Sequence, residues 1–386
     1  MPDHSLLLDP RVRRILVRGV NWLGDAVMTT PALQRLREAN TQTHVTLLTP
    51  AKLAGLWEHH PAVDSVLTFA EGESVFSVGR RLRQQRFDLA LVFPNSPRSA
   101  LETFLARIPR RVGFARSWRN CFLTHRVLSP LDFVPTRKRS DAEIRRRVDT
   151  QPAAGRETYP ASAHQLHHYL HLVGAIGAST AITAPRLFVS DNEVAVIRQR
   201  FELACGNDRH TPLLGVNAGA EYGPAKRWPA ERYIEAAVLL QRQYGCHCWV
   251  FGGQADRDMA GNITRQIESA KAGPPESVRN LAGATTLREL CAALKACDVV
   301  LTNDTGPMHL AAAVGTSVVA PFGSTSPELT GPGLPGHPDH VLLPGPAPCA
   351  PCFRRECPID LRCLKNITVE RVVEAARGFL QNSTAP

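Results

Sequence analysis

Short apolar runs rich in β-branched residues alternate with longer amphipathic segments almost from the start of the chain. "RILVRG" (14–19) predicts a strand and "AVMTTPALQRLREA" (26–39) a helix. "HVTLLT" (44–49), "DSVLTFA" (64–70) and "FDLALVF" (87–93) predict further strands with helical segments between them. The pattern fades between Leu131 and Pro160, where charge and proline dominate, and this stretch reads as an exposed insertion. "SAHQLHHYLHLVGAIG" (162–177) predicts the helix that closes the first half, and "ASTAITAPRLFVSD" (178–191) a linker. Alternation then resumes. "PLLGVNAG", "CHCWVFGG", "DVVLTND" and "TSVVAPFG" read as strands. "PAERYIEAAVLLQRQYG", "ADRDMAGNITRQIES", "TTLRELCAALKAC", "PMHLAAAV" and "TVERVVEAARGFLQN" read as helices, the first of them stopped by Gly245. Strands alternating with helices in this way define βαβ units and a parallel sheet, here in two α/β halves of similar size.

The length of 386 residues suits two domains. "MPDHSLLLDPRVRR" carries too short an apolar run for a signal peptide, and no run is long enough to span a bilayer, so a soluble cytoplasmic protein is expected. The net charge of +10 points to an anionic partner: nucleic acid, a phospholipid surface or a phosphorylated substrate. Basic residues gather in "RIPRRVGFARSWRN" (107–120) and "TRKRSDAEIRRR" (136–147), the second equally readable as a solvated loop. No nucleic-acid fingerprint is present and aromatics make up only 6%, which leaves little to stack on bases, so no nucleic-acid partner is expected.

Six of the ten cysteines (Cys121, Cys205, Cys246, Cys248, Cys291, Cys297) are scattered and read as buried small hydrophobes. Cys349, Cys352, Cys357 and Cys363 cluster in "CAPCFRRECPIDLRC". In a reducing compartment such a cluster suggests structural zinc before disulfides, but the spacing is not that of a standard zinc finger, and a loop of free thiols is the alternative.

Neither half carries G-x-G-x-x-G or the full Walker pattern; "GVNWLGDA" has the glycine spacing but lacks the Lys and Ser/Thr. Dinucleotide-dependent dehydrogenases and P-loop enzymes are thereby disfavoured. Chemistry in parallel sheets gathers beyond the carboxyl ends of the strands, and four such joints are polar: "NWLGDA", "NAGAEYGPAKRW", "GGQADRD" and "NDTGPMH". In the last, Pro307 fits a first helical turn. Asp304, Thr305 and Gly306 precede it and His309 falls within that turn, an arrangement suited to phosphate; simple capping by Asp304 or Thr305 is the competing account. Lys226 and Arg227 form either a phosphate clamp or part of a solvated loop anchored by Trp228. Asp256 fits a ribose contact, a divalent-cation pair with Asp258, or favourable charge in a first turn. Asp25, after Gly24 at a strand-to-helix joint of the other half, fits a general base or a helix cap.

The strings "RILVRGVNWLGDAVMTTPALQRLRE", "PNSPRSALETFLARIPRRVGF", "GVNAGAEYGPAKRWP", "NLAGATTLRELCAALKACDVVLTNDTGPMHLAAAVGTSVVAPFGSTSPELTGP" and "CAPCFRRECP" resemble, in order and over nearly the whole chain, the ADP-heptose:lipopolysaccharide heptosyltransferases. "GAEYGPAKRWP" favours the type II branch. The resemblance implies a GT-B fold: two Rossmann-like domains facing across a cleft, an acceptor domain at 1–182 and an ADP-heptose-binding domain at 183–366. It implies a final helix within 367–386 that packs back on the first domain. It further implies an inverting glycosyltransferase without a bound metal or other cofactor, acting on heptosyl-Kdo2-lipid A at the cytoplasmic face of the inner membrane; a monomer is expected. By position, Asp25 matches the base and Lys226 the lysine at the donor diphosphate. Asp256 matches an acidic residue at the donor ribose, often Glu in the family. Asp304, Thr305, Gly306 and His309 match the diphosphate-binding helix start. Gly24, Asn95, Ser96, Arg98, Gly219, Ala220 and Arg227 lie in the matched strings and are taken as substrate-binding. Arg98 and the basic run from Arg107 to Arg119 are the candidates for contact with an anionic membrane. The competing expectations are a different core acceptor, a metal-dependent transferase using Asp256 and Asp258, and a non-catalytic sugar-nucleotide-binding protein.

Overall fold

The structure, a computed structural model, describes residues 6, 7, 9, 11–150, 155–201, 211–334 and 336–382. The chain forms two compact units, Met1–Val134 with Ser162–Phe188, and Pro135–Ala161 with Val189–Pro386.

The first unit holds β1 (Arg14–Arg18), β2 (His44–Pro50), β3 (Ser65–Phe69), β4 (Leu89–Val92), β5 (Arg110–Phe114) and β6 (His125–Val127). The second holds β7 (Leu213–Asn217), β8 (His247–Val250), β9 (Val278–Asn280), β10 (Val299–Thr302), β11 (Ser317–Phe322) and β12 (His340–Pro344). The sheet orders are β3-β2-β1-β4-β5-β6 and β12-β11-β10-β7-β8-β9. All pairings are parallel, with Leu16 opposite Thr46 on one side and Ala90 on the other. Counted within its own unit, each sheet has the doubly wound order 3-2-1-4-5-6. Central strands such as β4 (LALV) and β10 (VVLT) are buried along their whole length, as sheets covered by helices on both faces require. The order reverses between β1 and β4 in one unit and between β7 and β10 in the other. Chains leaving these strands in opposite directions open a crevice at their carboxyl ends.

The helix Ala230–Tyr244 ends at Gly245, whose φ of 61° supplies the left-handed stop. The helix Gly306–Ala313 carries proline in its first turn. Strands β5, β6, β9 and β12 leave weaker apolar signals and were not anticipated from the pattern.

Two expectations about domain organisation change. The boundary falls at 188/189 rather than 182/183. The insertion belongs to the second unit: it contains the helix Asp141–Thr150, whose Ile144 is 1% exposed within that unit's core. Arg139 ties it down further, its backbone N–H donating to the Cys352 carbonyl at 3.0 Å and its Nη1 to the Cys349 carbonyl at 2.8 Å. The last helix, Val369–Asn382, packs on the helix Ala230–Tyr244 of the second unit. Its residues Val372, Ala376 and Leu380, spaced by one helical turn, are fully buried in that core.

Candidate active site

The candidate residues gather at the two points where strand order reverses. In the first unit, the turn after β1 leads into the helix Leu23–Met28, with Asp25 in its first turn. Gln165, on the helix Gln165–Gly174, donates from Nε2 to Asp25 Oδ1 at 3.2 Å and to Tyr169 Oη at 2.8 Å. Tyr169 is 3% exposed; burial and then the neighbouring Asp25 carboxylate push its phenol well above the usual range, so it stays neutral. Beneath the turn, buried Arg18 donates to Glu102 at 2.8 Å, to the Gly19 carbonyl at 2.6 Å and to Asn21 Oδ1 at 3.0 Å. Glu102, also fully buried, accepts from Arg98 at 3.1 Å. This pair fixes the backbone that delivers Asp25.

At the neighbouring end of β4, Ser96 caps the helix Pro97–Leu105, its Oγ accepting from the Ser99 N–H at 3.3 Å. Exposed Asn95 accepts from Arg119 Nη1 at 3.3 Å, and the same nitrogen donates to the Pro94 carbonyl at 2.7 Å. Arg119 is fully buried, and burial, with Arg116 nearby, lowers its pKa to about 10. It therefore leaves the set of arginines that could face a membrane. Arg98 and Arg107 remain exposed.

In the second unit, Lys226 and Asp304 meet. Lys226 Nζ lies 2.6 Å from Asp304 Oδ2 and 3.2 Å from the Asp304 carbonyl, and 5.1 Å from the Tyr222 ring centroid. Asp304 Oδ2 also accepts from Thr325 Oγ1 at 2.5 Å. Its carboxylate is thus committed to Lys226 and Thr325, and Thr305 at the N-cap makes no side-chain cap bond, so capping does not account for "NDTG". The helix begins with Gly306 in its first position and His309 buried in its first turn, and the first N–H groups of a helix, which have no partner within it, suit an anion. Asn303 holds the joint together: Oδ1 accepts from the Trp228 N–H and from Tyr233 Oη, each at 2.9 Å, and Nδ2 donates to the Ala218 carbonyl at 2.7 Å. Trp228 is the anchor expected of it, 1% exposed.

Asp256, after β8, accepts from the Gly253 N–H at 3.1 Å and lies 3.8 Å from Arg227, which donates to the Ala220 carbonyl at 3.2 Å. A Cβ on Gly219 would stand 2.7 Å from Asp256 Oδ2, so glycine is what lets these two joints approach. Asp258 is exposed.

The four clustered cysteines line one cavity with Ile144 and Ser324. Burial raises the thiols of Cys349, Cys352 and Cys363, the last to about 12, so these three stand as neutral thiols. Among the described residues no group of three or more His, Cys, Asp or Glu side chains is arranged to hold a metal ion. What the loop does hold is the site. The Cys352 and Phe353 N–H groups donate to the Ser324 carbonyl at 3.0 and 2.7 Å. The Phe353 carbonyl accepts from Tyr222 Oη at 2.8 Å, and the Arg355 carbonyl accepts from the Ala225 N–H at 2.9 Å. Gly223, at φ +150°, passes so close to Arg355 that a Cβ would meet its carbonyl oxygen at 2.6 Å. The cysteine loop thereby clasps the two segments that present Lys226 and Thr325. Of the scattered cysteines, Cys246, Cys248, Cys291 and Cys297 are buried, Cys121 is exposed, and Cys205 lies outside the described residues.

Sequence reading missed Gln165, the Arg18–Glu102 pair and Thr325. The available signals were an arginine ending the strand RILVR, a glutamate on a buried helix face, and the polar cluster "GSTS" after β11.

Two doubly wound units, with a carboxylate at the reversal point of one and a lysine beside a bare helix start at that of the other, define a GT-B-type glycosyltransferase fold. Glycosyltransferase family 9 (heptosyltransferase) matches residues 75–362, and the chain belongs to that family. Lipopolysaccharide heptosyltransferase 2 of Salmonella typhimurium is 30% identical over 329 residues, covering 83% of this chain and 85% of that protein. Lipooligosaccharide heptosyltransferase 2 of Haemophilus influenzae is 29% identical over 327 residues, covering 82% and 85%. The solved structure of ADP-heptose lipopolysaccharide heptosyltransferase II from Escherichia coli superposes with a TM-score of 0.73 at 27% identity, covering 96% of this chain and all of that one.

Proposed function

We propose that this glycosyltransferase moves L-glycero-D-manno-heptose from ADP-heptose to the first heptose of heptosyl-Kdo2-lipid A, with inversion. The observation that carries the reading is the Lys226–Asp304 contact beside the uncapped start of Gly306–Ala313, in a chain similar along its length to heptosyltransferases 2. The second unit takes the donor: Lys226 and the N–H groups at Thr305 and Gly306 meet the diphosphate, Asp256 the ribose. Asp304 positions Lys226. In the first unit Asp25, oriented by Gln165, removes the proton from the attacking heptose hydroxyl. The new bond joins that oxygen to the donor's anomeric carbon. The bond from that carbon to the phosphate oxygen breaks, and ADP departs with the electron pair. The negative charge growing on ADP is stabilised by Lys226 and the helix-start amides.

Acceptor choice tests the reading. Purified protein with ADP-heptose is expected to extend heptosyl-Kdo2-lipid A by one heptose, read by mass spectrometry, and to leave Kdo2-lipid A without heptose unextended. Extension of the second acceptor alone would place the protein at a different step.

A lipid acceptor requires contact with an anionic membrane. No described helix is long and apolar enough to cross one. The first unit supplies a surface contact instead: Trp118, Leu128 and Leu131 are 88%, 75% and 103% exposed, just beyond the carboxyl ends of the adjacent strands β5 and β6, with exposed Arg126 among them. Apolar side chains that insert beside basic ones that bind headgroups make an interfacial anchor. Replacing Trp118 and Leu131 by Ser is expected to cut sedimentation with vesicles containing anionic lipid about 10-fold, while transfer to a detergent-solubilised acceptor is kept. Unchanged sedimentation would remove this surface from the account.

A further inference from the structure

Arg156, near the end of the insertion, belongs to the second unit and has a side chain only 8% exposed. Its Nη2 donates to the Thr325 carbonyl at 3.2 Å and lies 3.6 Å from Glu328 Oε2, an oxygen already engaged by Ser326 Oγ. Its Nε and Nη1 are buried without a hydrogen-bond partner. An arginine cannot shed its proton to escape this, so the unmet donors persist and cost free energy until an acceptor arrives. The neighbouring Ser324 Oγ, 1% exposed, is likewise buried without a partner.

The position of these donors matters more than their number. Thr325 and Ser324 lie beyond the carboxyl end of β11, which neighbours β10 at the reversal point. The hydroxyl of the same Thr325 binds Asp304, which holds Lys226. Arg156, Thr325, Asp304 and Lys226 therefore form one unbroken run of contacts. Two guanidinium nitrogens and a hydroxyl without acceptors, at one end of a run whose other end is the diphosphate lysine, call for anionic oxygen.

We propose that Arg156 is a second cation of the nucleoside-diphosphate-sugar site, brought by the insertion, and that an unpaired N–H of its Nε or Nη1 binds an oxygen of the donor diphosphate. The proposal rests on the reading that the second unit holds the donor. Lys226 supplies a point charge; Arg156 supplies a directional donor on a planar group, held in place by its Nη2 bond to Thr325, that fixes the phosphate's orientation. The insertion then belongs to donor recognition.

Calorimetric titration of the full chain with ADP and with adenosine tests this in the wild type, Arg156→Gln and Arg156→Lys. R156Q is expected to weaken ADP binding roughly 10- to 100-fold while leaving adenosine binding unchanged, as loss of a hydrogen bond to a charged group implies. R156K, which keeps the charge without the planar set of donors, is expected to fall between. Wild-type ADP affinity in R156Q, or equal losses for ADP and adenosine, would overturn the proposal and leave Arg156 a purely structural tie. If R156Q does not fold, R156K decides: weaker ADP with unchanged adenosine supports the contact, and no change in ADP overturns it. A wild-type protein that does not prefer ADP to adenosine overturns the donor reading itself, and the proposal with it.

Discussion

Asp25→Asn is expected to lower kcat by about 10²–10⁴, the usual contribution of a positioned general base, with little change in the KM for ADP-heptose. The substitution preserves size and hydrogen-bonding shape, so Gln165 keeps a partner on the amide oxygen and buried Tyr169 keeps its surroundings. What is lost is the ability to accept the proton of the attacking hydroxyl. Gln165 itself cannot substitute, since its amide does not titrate. Thermal unfolding close to that of the wild type would show that the loss is chemical. Near-normal turnover by the folded variant would remove Asp25 from the base role.

Lys226→Ala is expected to cost about 10²–10³ in kcat, because the charge it meets is greater on departing ADP than on bound donor. The structure makes this variant ambiguous if taken alone. Lys226 is paired at 2.6 Å with Asp304, whose side chain is 5% exposed, and removal of the lysine leaves that carboxylate to Thr325 alone. Stability is therefore expected to fall as well. The double variant Lys226→Ala with Asp304→Asn separates the two effects. It no longer buries an unpaired charge, so melting temperature is expected to recover while kcat does not. Recovery of rate in the double variant would mean that the lysine serves only to neutralise Asp304.

Most of the framework was legible because parallel sheets write themselves into sequence. β1, β4, β7 and β10 are buried apolar runs, and each ends in a polar joint at a strand-order reversal. That is why Asp25, Lys226 and Asp304 could be singled out before any geometry was known. Contacts between distant segments carry no such signature. Gln165 reaches Asp25 from 140 residues away, and Arg139 reaches the cysteine loop from 210. The insertion illustrates the loss best. Its charge suggested a solvated loop, yet Arg139 and Ile144 are buried and Arg156 is nearly so. A few long-range bonds, not periodicity, decide which unit it joins. The last helix shows the complementary case: its apolar stripe was readable, but the surface that the stripe covers was not.

The central claim is that amides and a lysine, not a metal ion, stabilise ADP as heptose passes to an acceptor activated by a carboxylate. Single-turnover transfer, with enzyme in excess over ADP-heptose and heptosyl-Kdo2-lipid A in saturating EDTA, tests it most directly. The account predicts one heptose added for each ADP released, at a rate EDTA does not change. Transfer that stops in EDTA and returns with a divalent cation, or ADP release without growth of the acceptor, would contradict it.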